Sequence, residues 1–532
     1  MDAPIETSHK VSWRNFIGYG IGHVLNDVCA SMWFTYLLVY FHLVLGFSSA
    51  QAGVVLLVGQ IADALATPFV GFHSDKTDDW WLCRYGRRKT WHLLGTLCTA
   101  VAFPFIFSPC VGCTNSHAWA QLFYYCAFVC IFQFGWAAVQ ISHLALIPEL
   151  SADEHDRTKL AAIRYSFTVF SSLLVYAVTW SLLESALPES DAGPKNASML
   201  LNEYSYDNMS YYNSFIAMST GLTSGKILFD SESVQPNISE EVGKQVGPDD
   251  AIKFQEIVLV GLSFGALCSA LFHILVREKN QTVLERSEAG TGSRTTFSLL
   301  KDYKTYQVAG MYMCTRLFVN LTQVFTPLYL HETLEMSAGQ LALIPLVMFI
   351  SSLVTSPLIQ PINKCFGRKL AYGIGAVLGI SACIWARFGN GEFYITYLIY
   401  VVAVLFGAAG SILLVTSLGV TGDFIGKDTD SGALVYGLMS FTDKLSNGLA
   451  VIVIQNLESK FTGVTFYRDV LTYVCGSSAL LGVIFLAFFK HGNGTPPYES
   501  LLDSRTNINE EITSNENRQI NNASQNAPRE VL

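Results

Sequence analysis

GQIADALATPFVGFHSDKTDDWWLCRYGRRKTW, residues 59–91, runs from an apolar helix through a polar turn into a basic cluster. Asp63 sits inside the apolar part, just before the pair Thr67-Pro68. A carboxylate at such a place costs several kcal/mol (order of magnitude) unless it faces water or a partner, so Asp63 is a functional candidate. The cluster Gly86-Arg87-Arg88-Lys89 follows the apolar run and predicts a loop held on the cytosolic side. One stretch thus supplies a membrane span, an orientation and a candidate working residue.

Composition extends that reading to the whole chain. Its 532 residues are 51% hydrophobic and 14% charged, with a mean hydropathy of +0.35. Soluble domains carry about 25% charge, so a polytopic membrane body fits and a string of soluble domains does not. The net charge of -9 gives no reason to expect a nucleic-acid partner. Met1 to Lys10 is polar and leads straight into a long apolar run, which predicts no cleavable signal peptide.

Apolar runs of spanning length recur along the chain. They fall at roughly 16–44, 50–72, 91–108, 118–147, 160–184 and 254–276, then at roughly 305–330, 338–362, 370–388, 393–420, 432–457 and 467–489. The expected fold class is an all-α membrane protein with twelve transmembrane helices in two six-helix bundles. The expected organisation is a cytosolic N-terminus at 1–15 and an N-terminal bundle at 16–276 that includes a lumenal loop at 185–253. A cytosolic central loop follows at 277–304, then a C-terminal bundle at 305–489 and a disordered cytosolic tail at 490–532. Lys and Arg concentrate after the second, sixth and eighth spans, which places both termini in the cytosol. The sequons at Asn196, Asn208 and Asn237 fall in the loop assigned to the lumen, where glycosylation takes place. Sequons at Asn280, Asn320, Asn493 and Asn522 fall elsewhere and mark the rate at which the pattern arises by chance.

The halves repeat a motif. Thr67-Pro68-Phe69-Val70 leads to Gly86-Arg87-Arg88-Lys89, and Ser356-Pro357-Leu358-Ile359 leads to Gly367-Arg368-Lys369. This resembles the signature loop of the major facilitator superfamily, and the resemblance implies a two-bundle, alternating-access transporter. Gly71, Asp75, Gly86, Arg87 and Arg88 match that loop; the resemblance makes them a latch, with the glycine permitting close packing. Asp27, Asp63 and Arg164 are similar to charged positions of the glycoside and pentoside cation symporters. Thr67 and Gln140 stand where that branch keeps further acids, which weakens a sodium site, since such cages favour several carboxylates. The runs from Gly22, Phe103 and Phe132 resemble the animal major facilitators of lysosomes and melanosomes associated with pigmentation. That family is understood to import cysteine, so the resemblance implies cysteine transport in those organelle membranes.

Polar residues inside the spans sort onto helical faces. His23, Asp27 and Ser31 share one; Gln60, Asp63 and Thr67 another; Gln133, Trp136, Gln140 and His143 a third. Arg316, Asn320 and Gln323 recur in the seventh span, and Tyr436, Ser440, Asp443 and Asn447 in the eleventh. A zwitterion needs an anion for its ammonium and a cation for its carboxylate. Asp27 or Asp63 fits the first need and Arg164 or Arg316 the second. The candidate substrate residues are therefore His23, Asp27, Asp63, Gln140, Arg164, Arg316, Asn320 and Tyr436. The candidate coupling and gating residues are Asp63, Gly71, Asp75, Arg87, Arg88 and Asp443. The competing reading is structural: Asp63 paired with Arg164, and Asp443 with Lys444 and Arg316.

The cysteines form no zinc pattern and no cofactor or metal is expected; neither is an enzyme, because no nucleophile–base set appears in the loops. Cys110 and Cys113 suggest a local disulfide or two free thiols. The expected partners are a small polar solute, the lipid bilayer and a clathrin adaptor reading Tyr498-Glu499-Ser500-Leu501, in which Tyr498 and Leu501 carry the sorting pattern. A cation-coupled sugar or organic-solute symporter is the alternative within transport, and a non-transporting sensor or scaffold the alternative outside it. A Tyr498→Ala chain tagged for imaging is expected to shift from lysosomes to the plasma membrane; unchanged lysosomal delivery would remove the sorting signal.

Overall fold

The computed structural model describes residues 12–76, 85–113, 115–151, 154–184, 245–278, 303–425, 429–461, 463 and 465–488. The three lumenal sequons, the tail with Tyr498 and Leu501, and the side chains of Asp75 and Tyr436 lie outside the described residues.

The chain is helical throughout its described length. In the N-terminal half the helices are α1 (Trp13–Val44), α2 (Ser49–Lys76), α3 (Arg87–Ile106), α4 (Ala118–Leu150), α5 (Glu154–Glu184) and α6 (Ala251–Leu275). In the C-terminal half, α7 spans Tyr303–Leu328. A single helical run, Gln340–Phe388, then holds α8 (Gln340–Ile359) and α9 (Cys365–Phe388). They are followed by α10 (Ile399–Ile425), α11 (Thr429–Glu458) and α12 (Phe466–Phe488). Among the described residues, nine helices are long and apolar enough to cross a membrane. The remaining three, α3, α7 and α11, are of 20, 26 and 30 residues and complete the twelve. Their low hydropathy has a cause: they carry Arg87 to Lys89, Arg316, and the pair Asp443-Lys444.

Breaks in the helices mark where the chain turns or opens. Gly367 has φ 75° and interrupts the run within the first turn of α9, a conformation that a side chain with a Cβ resists. Helix α1 is discontinuous: Trp13–Ile21 ends at Gly22, and Val24–Val39 resumes after His23. The break leaves backbone carbonyls to be satisfied. Tyr19 accepts from His143 Nε2 at 2.8 Å, and Gly22 accepts from His92 Nε2 at 2.9 Å. Tyr40–Val44 and Tyr329–Thr333 each form a π turn at the end of α1 and α7. An offset of 289 residues carries Tyr40 to Tyr329 and Pro68 to Pro357, so the two halves repeat each other in structure as well as in motif.

Lipid gives helices no hydrophobic reason to associate, so close packing has to hold them. Glycines supply it at two crossings. A Cβ on Gly95 of α3 would lie 2.6 Å from the carbonyl oxygen of Gly135 in α4, and one on Gly135 2.8 Å from that of Gly95. Gly407 of α10 leaves room for the Met348 carbonyl of α8 in the same way.

The two halves meet along α2 with α11 and α1 with α7. Near the end of the molecule formed by the α1–α2 turn, the seam is tight. Gln323 donates to Thr35 Oγ1 at 3.1 Å and to the Tyr176 hydroxyl at 3.2 Å, and the rings of Tyr176 and Phe349 lie 5.0 Å apart. Toward the opposite, basic end, Gly71 has nothing within 4 Å of where a Cβ would stand. The expectation that Gly71 permits close packing is corrected by that open space.

In Cys110-Val111-Gly112-Cys113 the two thiols are joined as a disulfide, of the two alternatives the sequence left open. Gly407→Ala is expected to lower the thermal unfolding midpoint in detergent more than Gly373→Ala, whose Cβ would enter open space. Equal midpoints would show that α8 and α10 do not depend on the contact.

Candidate functional site

A cavity with about 580 Å³ of empty space, its open mouth included, lies on the seam between the halves. Three helices of the N-terminal half line it with Trp33, Phe34, Gln60, Asp63, Gln133, Trp136 and Gln140. Helices α7 and α11 add Tyr312, Arg316, Asn320, Ser440, Asp443 and Lys444.

Two ion pairs dominate its wall. Lys444 Nζ reaches Asp63 Oδ1 at 2.5 Å and donates to Thr67 Oγ1 at 2.8 Å, so α11 is bound to α2 across the seam. Thr67 also donates to Asp63 at 3.2 Å. Arg316 Nε donates to Asp443 Oδ2 at 2.9 Å within the C-terminal half. Asn447 Nδ2 donates to the other oxygen of Asp443 at 2.6 Å, and Asn320 approaches it at 3.4 Å. Asp63, Asp443 and Asn320 are buried. The structural pairing read from the sequence is therefore rearranged. Asp63 takes Lys444 instead of Arg164, and Asp443 keeps Arg316 but not Lys444. Adjacent in sequence, Asp443 and Lys444 point to different partners.

His23, Asp27 and Arg164 form a second network outside the cavity lining, which corrects their grouping with Asp63 and Arg316 in one site. His23 Nδ1 lies 2.9 Å from Asp27 Oδ1, and Arg164 Nη2 donates to His23 Nε2 at 3.0 Å. Thr168 donates to Asp27 Oδ2 at 3.0 Å. The offset of 289 that relates the halves carries Asp27 of α1 to Arg316 of α7. Arg164 stands on α5 and Asp443 on α11, the fifth helix of each half. Each half thus holds one acid and one base on its first and fifth helices, with the polarity exchanged. Only the C-terminal pair touches directly.

His143, placed by its spacing on a stripe with Gln133, Trp136 and Gln140, turns away from the cavity. Its ring stacks on Tyr19 at 4.1 Å. At the basic end, Arg87 and Arg88 each reach Glu149 at 3.3 Å, and Arg88 donates to Ser74 Oγ at 2.7 Å. Glu278 accepts from the backbone amides of Arg88 and Lys89, both at 3.1 Å, and so caps the start of α3. Glu149 and Glu278 escaped the sequence reading; an acid in the last turn of α4 and another just past the end of α6, opposite a basic cluster, were the available signal.

Among the described residues, no group of His, Cys, Asp and Glu is arranged to hold a metal ion.

Comparison with known proteins accounts for this architecture. The family described as MFS/sugar transport protein matches residues 18–466. The chain belongs to the major facilitator superfamily. It is 41% identical over 451 residues to human major facilitator superfamily domain-containing protein 12, covering 83% of this chain and 84% of that one. The mouse protein of the same name is 37% identical over 487 residues, 88% and 92% of the two chains. A Synechocystis protein named an uncharacterized symporter is 24% identical over 71% of this chain and 73% of its own. Among solved structures, a D-xylose–proton symporter superposes with a TM-score of 0.60 at 14% identity, over 91% of this chain and 98% of that one. The nucleoside transporter NupG does so with 0.59 at 14% identity, over 90% and 100%. The protein is a multi-pass membrane transporter of this superfamily.

Lys444→Ala leaves the Asp63 carboxylate buried without its cation and is expected to destabilise the protein by about 3–5 kcal/mol. Adding Asp63→Asn to Lys444→Ala is expected to restore most of that loss. Thermal unfolding of the single and double variants in detergent measures it, and additive losses would show that the two side chains do not interact.

Proposed function

We propose that the seam cavity binds a small zwitterionic amino acid and passes it across the membrane by alternating access, with cysteine as its substrate. One observation carries the reading: a single cavity presents two acids and two bases, contributed by both halves. An amino acid brings an ammonium and a carboxylate of its own, so it can exchange into these pairs without leaving a charge unmatched. Displacing Lys444 from Asp63 would undo the ion pair that ties α2 to α11. Binding would then loosen the seam it has to cross. Asp63, Arg316 and Asp443 are assigned to substrate and gating, with Gln140 and Asn320 as polar contacts.

Cysteine is named by the resemblance of α1 and α4 to the lysosomal and melanosomal facilitators, and the same resemblance supports an organelle membrane. The open space around Gly71 supports a cavity reached from the basic end in this conformation. Arg87 and Arg88, matched to the superfamily latch, fit a gating role at that end through Glu149.

A second reading rests on the rest of the lining. Gln60, Gln133, Gln140, Trp33 and Trp136 offer amides and flat aromatic faces, which suit the hydroxyls and rings of a sugar. Purified protein in liposomes, given labelled cysteine with xylose or a nucleoside as competitor, separates the two. The expected outcome is saturable cysteine uptake that neither competitor reduces, and a loss of about tenfold or more in Arg316→Gln, the scale of one charge-assisted contact. Uptake of xylose in place of cysteine would replace this reading with the sugar one.

A further inference from the structure

The C-terminal half shows that an arginine and an aspartate on neighbouring helices can join directly, as Arg316 and Asp443 do at 2.9 Å. In the N-terminal half an imidazole stands between the corresponding charges. His23 is 4% exposed and meets Asp27 through Nδ1 and Arg164 through Nε2. A guanidinium only donates hydrogen bonds. Nε2 must therefore offer Arg164 its lone pair, and Nδ1 must carry the proton given to Asp27. The ring is neutral, and its one acceptor site is fully used.

We propose that His23 Nε2 is a proton-binding site of the transport cycle, and that its protonation releases Arg164, which lies outside the seam cavity, to take the carboxylate of a solute in transit to or from that cavity. The proposal rests on the amino-acid reading of the substrate. A proton arriving at Nε2 occupies the lone pair on which Arg164 rests, turning an acceptor into a donor. Two donors 3.0 Å apart repel, so the guanidinium leaves. The imidazolium stays, because its Nδ1–H still meets the Asp27 carboxylate, which also holds Thr168. Arg164 is half-buried, and its Nε finds no hydrogen-bond partner among the described residues. The freed guanidinium presents the planar fork that grips a carboxylate in two places. No bond to carbon forms or breaks; one proton enters from water, and one arginine contact is exchanged for another.

The groups around His23 include two further imidazoles, and Nδ1 of His143 finds no hydrogen-bond partner among the described residues, so the His23 signal has to be assigned by substitution. On its own helix it faces Asp27, with Tyr19 one turn away; on α5 it faces Arg164. The ring of His143 on α4 lies 5.5 Å away, and that of His92 on α3 lies 5.9 Å from His143. Both donate through Nε2 to carbonyls of the α1 break, and His92 Nδ1 meets His273 of α6 at 3.1 Å. Those rings brace the break. Among the described residues, no charged side chain of α2 or the C-terminal half hydrogen-bonds to His23.

His23→Gln separates the proposal from a purely structural role. The Gln amide donates to Asp27 and accepts from Arg164 as the neutral ring does, but takes no proton. Spectra of protein carrying [13Cε1]-histidine should contain a resonance, absent in His23→Gln, that titrates between about pH 8 and about pH 5. In Arg164→Ala its midpoint should move, since the neighbouring cation is gone. Labelled cysteine flux in liposomes should be about tenfold lower in His23→Gln at the acid end and flat with pH, the scale of one charge-assisted contact to the solute left unmade. A resonance that does not titrate in that range, or a midpoint indifferent to Arg164→Ala, overturns the proposal. A resonance that titrates as described in a protein that moves no cysteine supports the proton site and overturns the substrate reading instead.

Discussion

A charge inside a bilayer has to be matched, and the match between Asp63 and Lys444 is the one on which the arrangement of the halves turns. The aspartate belongs to α2 and the lysine to α11, so neither helix can satisfy its charge alone. Bringing the halves together supplies the missing partner, and Thr67 secures both ends. The rest of the seam follows the same logic with weaker groups. Gln323 reaches across to Thr35 and Tyr176, and the Tyr176 ring meets Phe349. The alternating access proposed for this cavity parts the halves repeatedly, and a polar seam allows that, because water or solute can take over each contact as it breaks.

The internal repeat gives the charges a second level of order. Both halves place an acid and a base on their first and fifth helices, but with signs exchanged between Asp27 and Arg316 and between Arg164 and Asp443. The C-terminal pair is closed and direct. The N-terminal pair is held apart by His23, in a helix interrupted at that very residue. The break in α1 and the rings of His92 and His143 that satisfy its carbonyls therefore serve to fix an imidazole between two opposite charges.

Among the described residues, hydropathy marks nine of the twelve helices, while α3, α7 and α11 carry charges that lower theirs and emerge from the recurrence of spanning-length runs. The helical period put Gln60 and Asp63, Arg316 and Asn320, and Ser440 and Asp443 on shared faces. Both signals are local, since each depends on residues within a few turns of one another. Partner choice is not local. Nothing near Asp63 says that its cation lies on α11, and the neighbouring positions of Asp443 and Lys444 suggested a pairing that their divergent directions on the helix forbid. His143 was misplaced for a related reason: spacing gives a face, but the discontinuity of α1 decides what that face meets. Glu149 and Glu278 went unread because they lie at helix ends, where composition looks like ordinary loop.

The carboxylate that caps α3 belongs to the first residues after α6, where the chain sets off toward the second half. Gly86, with φ 127°, gives that carboxylate room, since a Cβ there would come within 2.6 Å of Glu278 Oε2. The exit from α6 is thus tied to the opening turn of α3, and through Arg87 and Arg88 to Glu149 of α4. Three helices of the N-terminal half, α3, α4 and α6, therefore converge on one basic cluster, so a shift of any one at this end is felt by the other two.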